Sequence, residues 1–115
     1  MNNNSPHYAV IFSSQTTEIE KSEYMEVAER MVALASHQEG FMGMENIQNE
    51  QGFSIMISYW DSLTAIKQWK KNTDHYAARK KGRESWYKTF TVSICKIEHM
   101  YHFASDGDDN KSQVI

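Results

Sequence analysis

The chain has 115 residues, enough for one domain and too few for two. Hydrophobic residues make up 40% and charged residues 23%, an ordinary globular composition, and a net charge of −3 with a pI near 5.9 argues against a general nucleic-acid binder. The lone Cys95 excludes an intrachain disulfide, a zinc ribbon and a dithiol redox centre. No apolar run approaches the ~20 residues of a membrane span. The first residues lack the basic and apolar regions of a signal peptide, so a cytoplasmic protein is expected.

Residues 1–6 read as a mobile polar arm. The apolar run Tyr8 to Phe12, ending in Ser13-Ser14-Gln15, reads as a buried strand. The clearest helix follows. Tyr24, Val27, Ala28, Met31, Leu34, Ala35 and Gln38 recur at the spacing of one buried face, with Glu and Lys residues opposite. Ser22 is one cap for it, and Thr17 with Glu20 forms a rival capping-box pattern. Gly40 is its expected stop.

Glu39-Gly-Phe-Met-Gly-Met-Glu45 then opens a hairpin whose turn is Asn49-Glu50-Gln51-Gly52. Its second strand alternates, with Phe53, Ile55, Ile57 and Tyr59 on one face and Ser54, Met56, Ser58 and Trp60 on the other. Asp61 or Ser62 caps the next helix, which carries Leu63, Ile66 and Trp69 near one stripe. Asn72-Thr73-Asp74 reads as a break, with a second helical piece from His75 to about Lys81. The basic residues Lys70, Lys71, Arg79, Lys80, Lys81 and Arg83 read as a solvated face.

Residues Lys88 to Phe103 form one long strand candidate. Phe90, Val92 and Ile94 share its first face, and Ile97, Tyr101 and Phe103 have the opposite parity. Such a switch means a β-bulge, or a strand that leaves its own core to cover another. The length exceeds the usual 3–10 residues and favours the second reading, which implies a partner subunit. Residues 104–115 are rich in Asp, Gly, Asn and Ser and read as a disordered tail, leaving 7–103 as the domain.

The order strand, helix, strand, strand, helix, strand is the ferredoxin-like α+β pattern, with a four-stranded antiparallel sheet and helices on one face. The other face is expected to carry Met42, Met44, Met56 and Trp60. An apolar face of that size marks an interface, met most economically by a homodimer packed sheet to sheet.

The stretch Glu39 to Glu45, the strand ending at Tyr59-Trp60, Ser62-x-x-Ala65-Ile66 and His75 resemble the antibiotic biosynthesis monooxygenase (ABM) domain, of the dimeric α+β barrel superfamily. The resemblance implies cofactor-independent oxygenation of a small aromatic or quinol-type substrate. The substrate is deprotonated and its carbanion reduces O2. The protein then supplies a dry pocket, a proton acceptor and donors for the developing oxyanion. A second branch of the family binds and degrades haem. It uses an Asn on the first strand, a Trp on the second helix and a His near that helix's end. Trp69 matches the Trp, Ser13 or Ser14 falls near the Asn, and Arg79 stands at the ligand position with His75 nearby. A non-catalytic ligand-binding or stress-related dimer is the third reading.

His75 and Trp69 are the catalytic candidates, His75 because its ordinary pKa suits proton transfer near neutrality. Trp60, Asn46, Tyr76 and Arg79 are the candidate substrate contacts. His99 and His102 sit three apart on a strand and so face opposite ways, which makes no metal site. No nucleotide-binding glycine loop or GxSxG elbow is present.

Overall fold

The computed structural model describes residues 5–16, 29–30, 32–80 and 87–105, and for 73–80 and 87 the backbone alone. Strand β1 (Tyr8–Thr16) leads to helical residues 29–30 and 32–36, here α1. The hairpin strands β2 (Phe41–Gln48) and β3 (Phe53–Trp60) follow, then helix α2 (Leu63–Lys80) and strand β4 (Tyr87–Lys96). The strands form one sheet in the order β2-β3-β1-β4, with every neighbouring pair antiparallel. This is the ferredoxin-like α+β arrangement expected from the element order. The capping candidates Thr17, Glu20 and Ser22, and the helix-face residues Tyr24, Val27, Ala28 and Met31, lie outside the described residues.

Register decides which side chains meet the helices. Tyr8, Val10, Phe12 and Ser14 pair with Trp60, Ser58, Met56 and Ser54. Val10 and Trp60 of this set pack in one cluster with Ala35 of α1 and with Ala65 and Ile66 of α2. These four pairs therefore share the helix-covered face, because alternate residues of a strand point the same way.

That result corrects the expectation for the open face. Trp60 is fully buried under the helices, and Met44 packs beside it. Met56 falls on the same helix-covered face by register. The cause in β2 is a bulge: Phe41 pairs with Trp60 and Gly43 with Tyr59, which leaves Met42 as the extra residue. Gly43 has a φ of 151°, a backbone setting open to glycine. The inserted residue lets Phe41 and Met44, of opposite parity, both reach the core. The open face instead carries Ala9 and Ile11 of β1, Phe53, Ile55, Ile57 and Tyr59 of β3, and Glu45 and Ile47 of β2.

The hairpin closes where its sequence indicates. Asn49 Oδ1 accepts from the backbone N–H of Gln51 at 2.9 Å and of Phe53 at 3.0 Å, while Gly52 takes a φ of 90°. Helix α2 is capped by Ser62, whose Oγ accepts from the N–H of Ala65 at 3.1 Å. Ala65 and Ile66 form its buried stripe, whereas Leu63 is 48% exposed. The break expected at Asn72-Thr73-Asp74 is absent, since the helix runs on to Lys80. Those residues cost only a few tenths of a kcal/mol each in a helix, and extending an existing helix avoids a second nucleation. Strand β4 ends at Lys96, short of the expected Phe103, and residues 97–105 have no regular structure.

Candidate functional site

The aromatic residues at the strand-to-helix corner converge on the helix-covered face. The ring of Trp60 lies 5.1 Å from that of Trp69 at 35°, and 5.5 Å from Phe41 in an edge-to-face arrangement at 78°. Three elements supply them. β3 ends in Trp60, the β2 bulge turns Phe41 inward, and the second turn of α2 presents Trp69. Close approach of the loop before β2 to α2 makes the corner tight. Gly40 has a φ of 93°, its carbonyl accepts from Asp61 N–H at 2.9 Å, and a Cβ there would sit 2.5 Å from Cβ of Ala65. Only glycine fits such a backbone without displacing the helix.

The buried polar side chains described on this face are serines. The indole N–H of Trp60 donates to Ser58 Oγ at 2.9 Å, with both residues buried. Farther along the sheet, the hydroxyls of Ser14 and Ser54 meet at 3.3 Å, also buried. Of the two serines expected near the first-strand polar position, Ser14 is therefore the one on the helix side. The sequence reading placed Ser54 and Ser58 on the Trp60 face of their strand but did not single them out as partners for buried polar groups. Their signal was there, as serines at alternate inward positions of an otherwise apolar strand.

Trp60 and Trp69 are thus brought together. Asn46 pairs with Met56 on β2 and is exposed. Positions 75, 76 and 79 lie in the last turns of α2, and their side chains are outside the described residues. On an unbroken helix at about 100° per residue, position 76 returns to the stripe of Ala65, Ile66 and Trp69, while position 75 turns well away from it. The side chain of Asn72 donates to Gln38 Oε1 at 3.0 Å and ties α2 to the loop after α1. Among the described residues no three His, Cys, Asp or Glu side chains cluster in a way that could hold a metal ion. No described helix is long and apolar enough to cross a membrane. Among the described residues, the one perturbed titratable group belongs to the open face. Burial first, then the charge of Glu45 and the hydrogen bond to it, raise the Tyr59 phenol above its ordinary value.

The sequence model of the antibiotic biosynthesis monooxygenase family matches residues 7–81, most of the chain and all of the corner just described. The chain belongs to this family. It is 44% identical over 104 residues to the uncharacterized protein YqjZ of Bacillus subtilis, covering 90% of each chain. Its fold is similar to that of SnoaB, a cofactor-independent oxygenase from Streptomyces nogalater. The TM-score is 0.68 at 12% identity, over 84% of this chain and 97% of that one. It is also similar to PA3566 from Pseudomonas aeruginosa, with a TM-score of 0.66 at 16% identity, over 81% and 95% of the two chains. At such identities the likeness establishes the fold, and the chemistry has to be argued from residues.

Proposed function

We propose that the chain is a homodimeric, cofactor-independent monooxygenase acting on a small aromatic or quinol-type substrate held against Trp69 at the edge of the helix-covered face. The observation that carries this reading is the Trp60–Trp69–Phe41 cluster, with a tilted and an edge-to-face ring contact where α2 meets the sheet, in a chain of this family. A flat, electron-rich ring is the ligand such a wall favours, since aromatic faces and edges attract one another beyond simple area burial. The likeness of fold to an oxygenase that needs no cofactor supports the same chemistry.

In that chemistry a base removes an acidic proton from the substrate, and the carbanion reduces O2. A ring CH2 becomes C=O, with one oxygen atom entering the product and the other leaving as water. An apolar wall keeps the carbanion from water, and nearby donors stabilise the developing oxyanion. His75, whose position on α2 lies off the Trp69 stripe, is the proposed proton acceptor and would meet the substrate at its rim rather than on the ring face held against Trp69. Tyr76, on the Trp69 stripe by helical phase, Arg79, at the helix end, and Asn46, on β2, are proposed to hold substrate oxygens. The haem alternative would use Trp69 as the ring contact. Its ligand candidates, His75 and Arg79, have side chains outside the described residues, so no step is assigned to haem.

Oxygen uptake with a panel of anthrones and quinols tests the reading. Uptake should fall at least ~100-fold in His75→Ala, the usual scale of a lost general base. It should fall in kcat more than in KM for Trp69→Phe. Absence of uptake with every member of the panel, or uptake indifferent to both substitutions, would refute it. A Soret shift on adding hemin would point to the haem branch instead. Light scattering should give the mass of two chains at micromolar concentration.

A further inference from the structure

Register lines up a polar row at the hairpin end of the helix-covered face. Gln48, Ser54, Ser14 and Phe90 stand level across β2, β3, β1 and β4. Directly opposite residues of paired strands share a face, so all four belong to the helix side. The next row toward the aromatic corner is Asn46, Met56, Phe12 and Val92. A sheet face under helices ordinarily carries apolar side chains, because it forms the core. Here one end of that face carries hydrogen-bonding groups on three neighbouring strands.

The serines of the row are deeply placed. Ser14 is 2% and Ser54 6% exposed, and their hydroxyls meet at 3.3 Å. One hydroxyl donates in that contact and the other accepts. The accepting hydroxyl keeps a proton of its own, and among the described residues no second acceptor is found for either group. A buried donor in that position lowers the stability of the free protein and favours a ligand oxygen that can accept from it. The row opens to solvent at its ends. Gln48 is exposed at the β2 edge, and Phe90 is 40% exposed at the β4 edge.

The floor beside the serines is apolar. The rings of Phe12 and Phe90 stack at 5.5 Å and 27°. The indole of Trp60 reaches back along β3 to Ser58, whose Oγ it meets at 2.9 Å. From Ser58 to Ser54 the strand rises about 13 Å, with Met56 and Phe12 level between them. No charged residue stands in either row, so a carboxylate or phosphate would find no counter-ion there. The group that fits is a neutral oxygen carried on a flat apolar body.

We infer that the Ser14–Ser54 pair is a specificity element: its spare hydroxyl proton donates to a carbonyl or phenol oxygen at the end of the substrate remote from Trp69, while Phe12 and Phe90 hold the ring that carries this oxygen. This rests on the substrate reading above and adds which substrate oxygen is recognised and by which residues. The pair takes no part in removing the substrate's proton. Its preference therefore shows in the binding of ligands that cannot react, as well as in turnover.

Equilibrium dialysis with two such ligands tests the pair: anthraquinone, and 2-hydroxyanthraquinone at a pH that keeps its phenol neutral. The parent chain should bind the hydroxylated ligand about 10-fold more tightly, the scale of one hydrogen bond to a buried group. A Ser14→Ala/Ser54→Ala chain should lose that preference while its circular dichroism stays that of a folded protein. In oxygen uptake, the parent's preference for a hydroxylated over a plain anthrone should lie in KM rather than kcat. A parent chain that binds both ligands equally, or a double variant that keeps the preference, overturns the role of the pair and leaves the substrate reading standing. A parent chain that binds neither ligand overturns both.

Discussion

Replacing Ser58 with alanine isolates one atom of the aromatic corner. Ser58 is 2% exposed and Trp60 0% exposed, and the indole N–H has Ser58 Oγ as its acceptor at 2.9 Å. Ser58→Ala removes that oxygen and little else, so cavity and transfer effects are small. What remains is a buried donor whose water cannot be restored, and such a group costs about 1–3 kcal/mol. In a domain of this size that corresponds to a melting temperature lower by roughly 3–12 °C. Urea unfolding at fixed chain concentration measures the loss. Trp60→Phe and the double variant complete a thermodynamic cycle. The coupling between the two sites should be on the order of 1 kcal/mol, since removing the N–H also removes its need for Ser58. A Ser58→Ala chain as stable as the parent, or a cycle without coupling, would show that the hydrogen bond does not hold the indole in place.

Gly40→Ala should destabilise by roughly 2–4 kcal/mol, combining a strained left-handed backbone with the contact its Cβ would make with Ala65; denaturant unfolding checks it, and a neutral result would mean the loop can move off α2. Ser62→Ala should cost about 1 kcal/mol through the lost cap of α2, read as a fall in helical circular dichroism and in the unfolding midpoint. For Tyr59, the raised folded pKa means that the native state holds its proton more tightly than the unfolded chain does. The stabilisation is therefore full below the ordinary tyrosine value of 10.0 and is lost as pH rises through the folded value. Alkaline absorbance titration should show a late-ionising contribution that disappears in Tyr59→Phe and moves to lower pH in Glu45→Gln, while an unchanged curve in both would contradict the assignment.

Local rules carried much of the architecture. The i, i+3, i+4 spacing, the alternation of Phe53 to Trp60, Asn49 with Gly52 at the turn and Ser62 before α2 are all short-range signals, and the ferredoxin-like order follows from them. The pairing of Trp60 with Trp69 at one corner was legible for the same reason, because a strand end and the next helix are held close by a two-residue connection. Other features depended on contacts between distant segments. The strand parity of β3 was plain, yet which parity faces the helices is set by pairing with β1 and by packing on Ala35, Ala65 and Ile66. Residue spacing cannot reveal that Met42 is skipped in a bulge, since the bulge exists only relative to β3. The continuity of α2 through Asn72-Thr73-Asp74 is likewise decided by propagation from a helix already anchored on the sheet. The sequence by itself determined the element order, the turn and cap residues and the family, because these reside in neighbouring side chains and their backbone preferences. Only the tertiary structure decided that Trp60 and Met44 lie under the helices while Ile47, Ile55 and Ile57 are left on the open face, because a face acquires an inside only when another element packs on it.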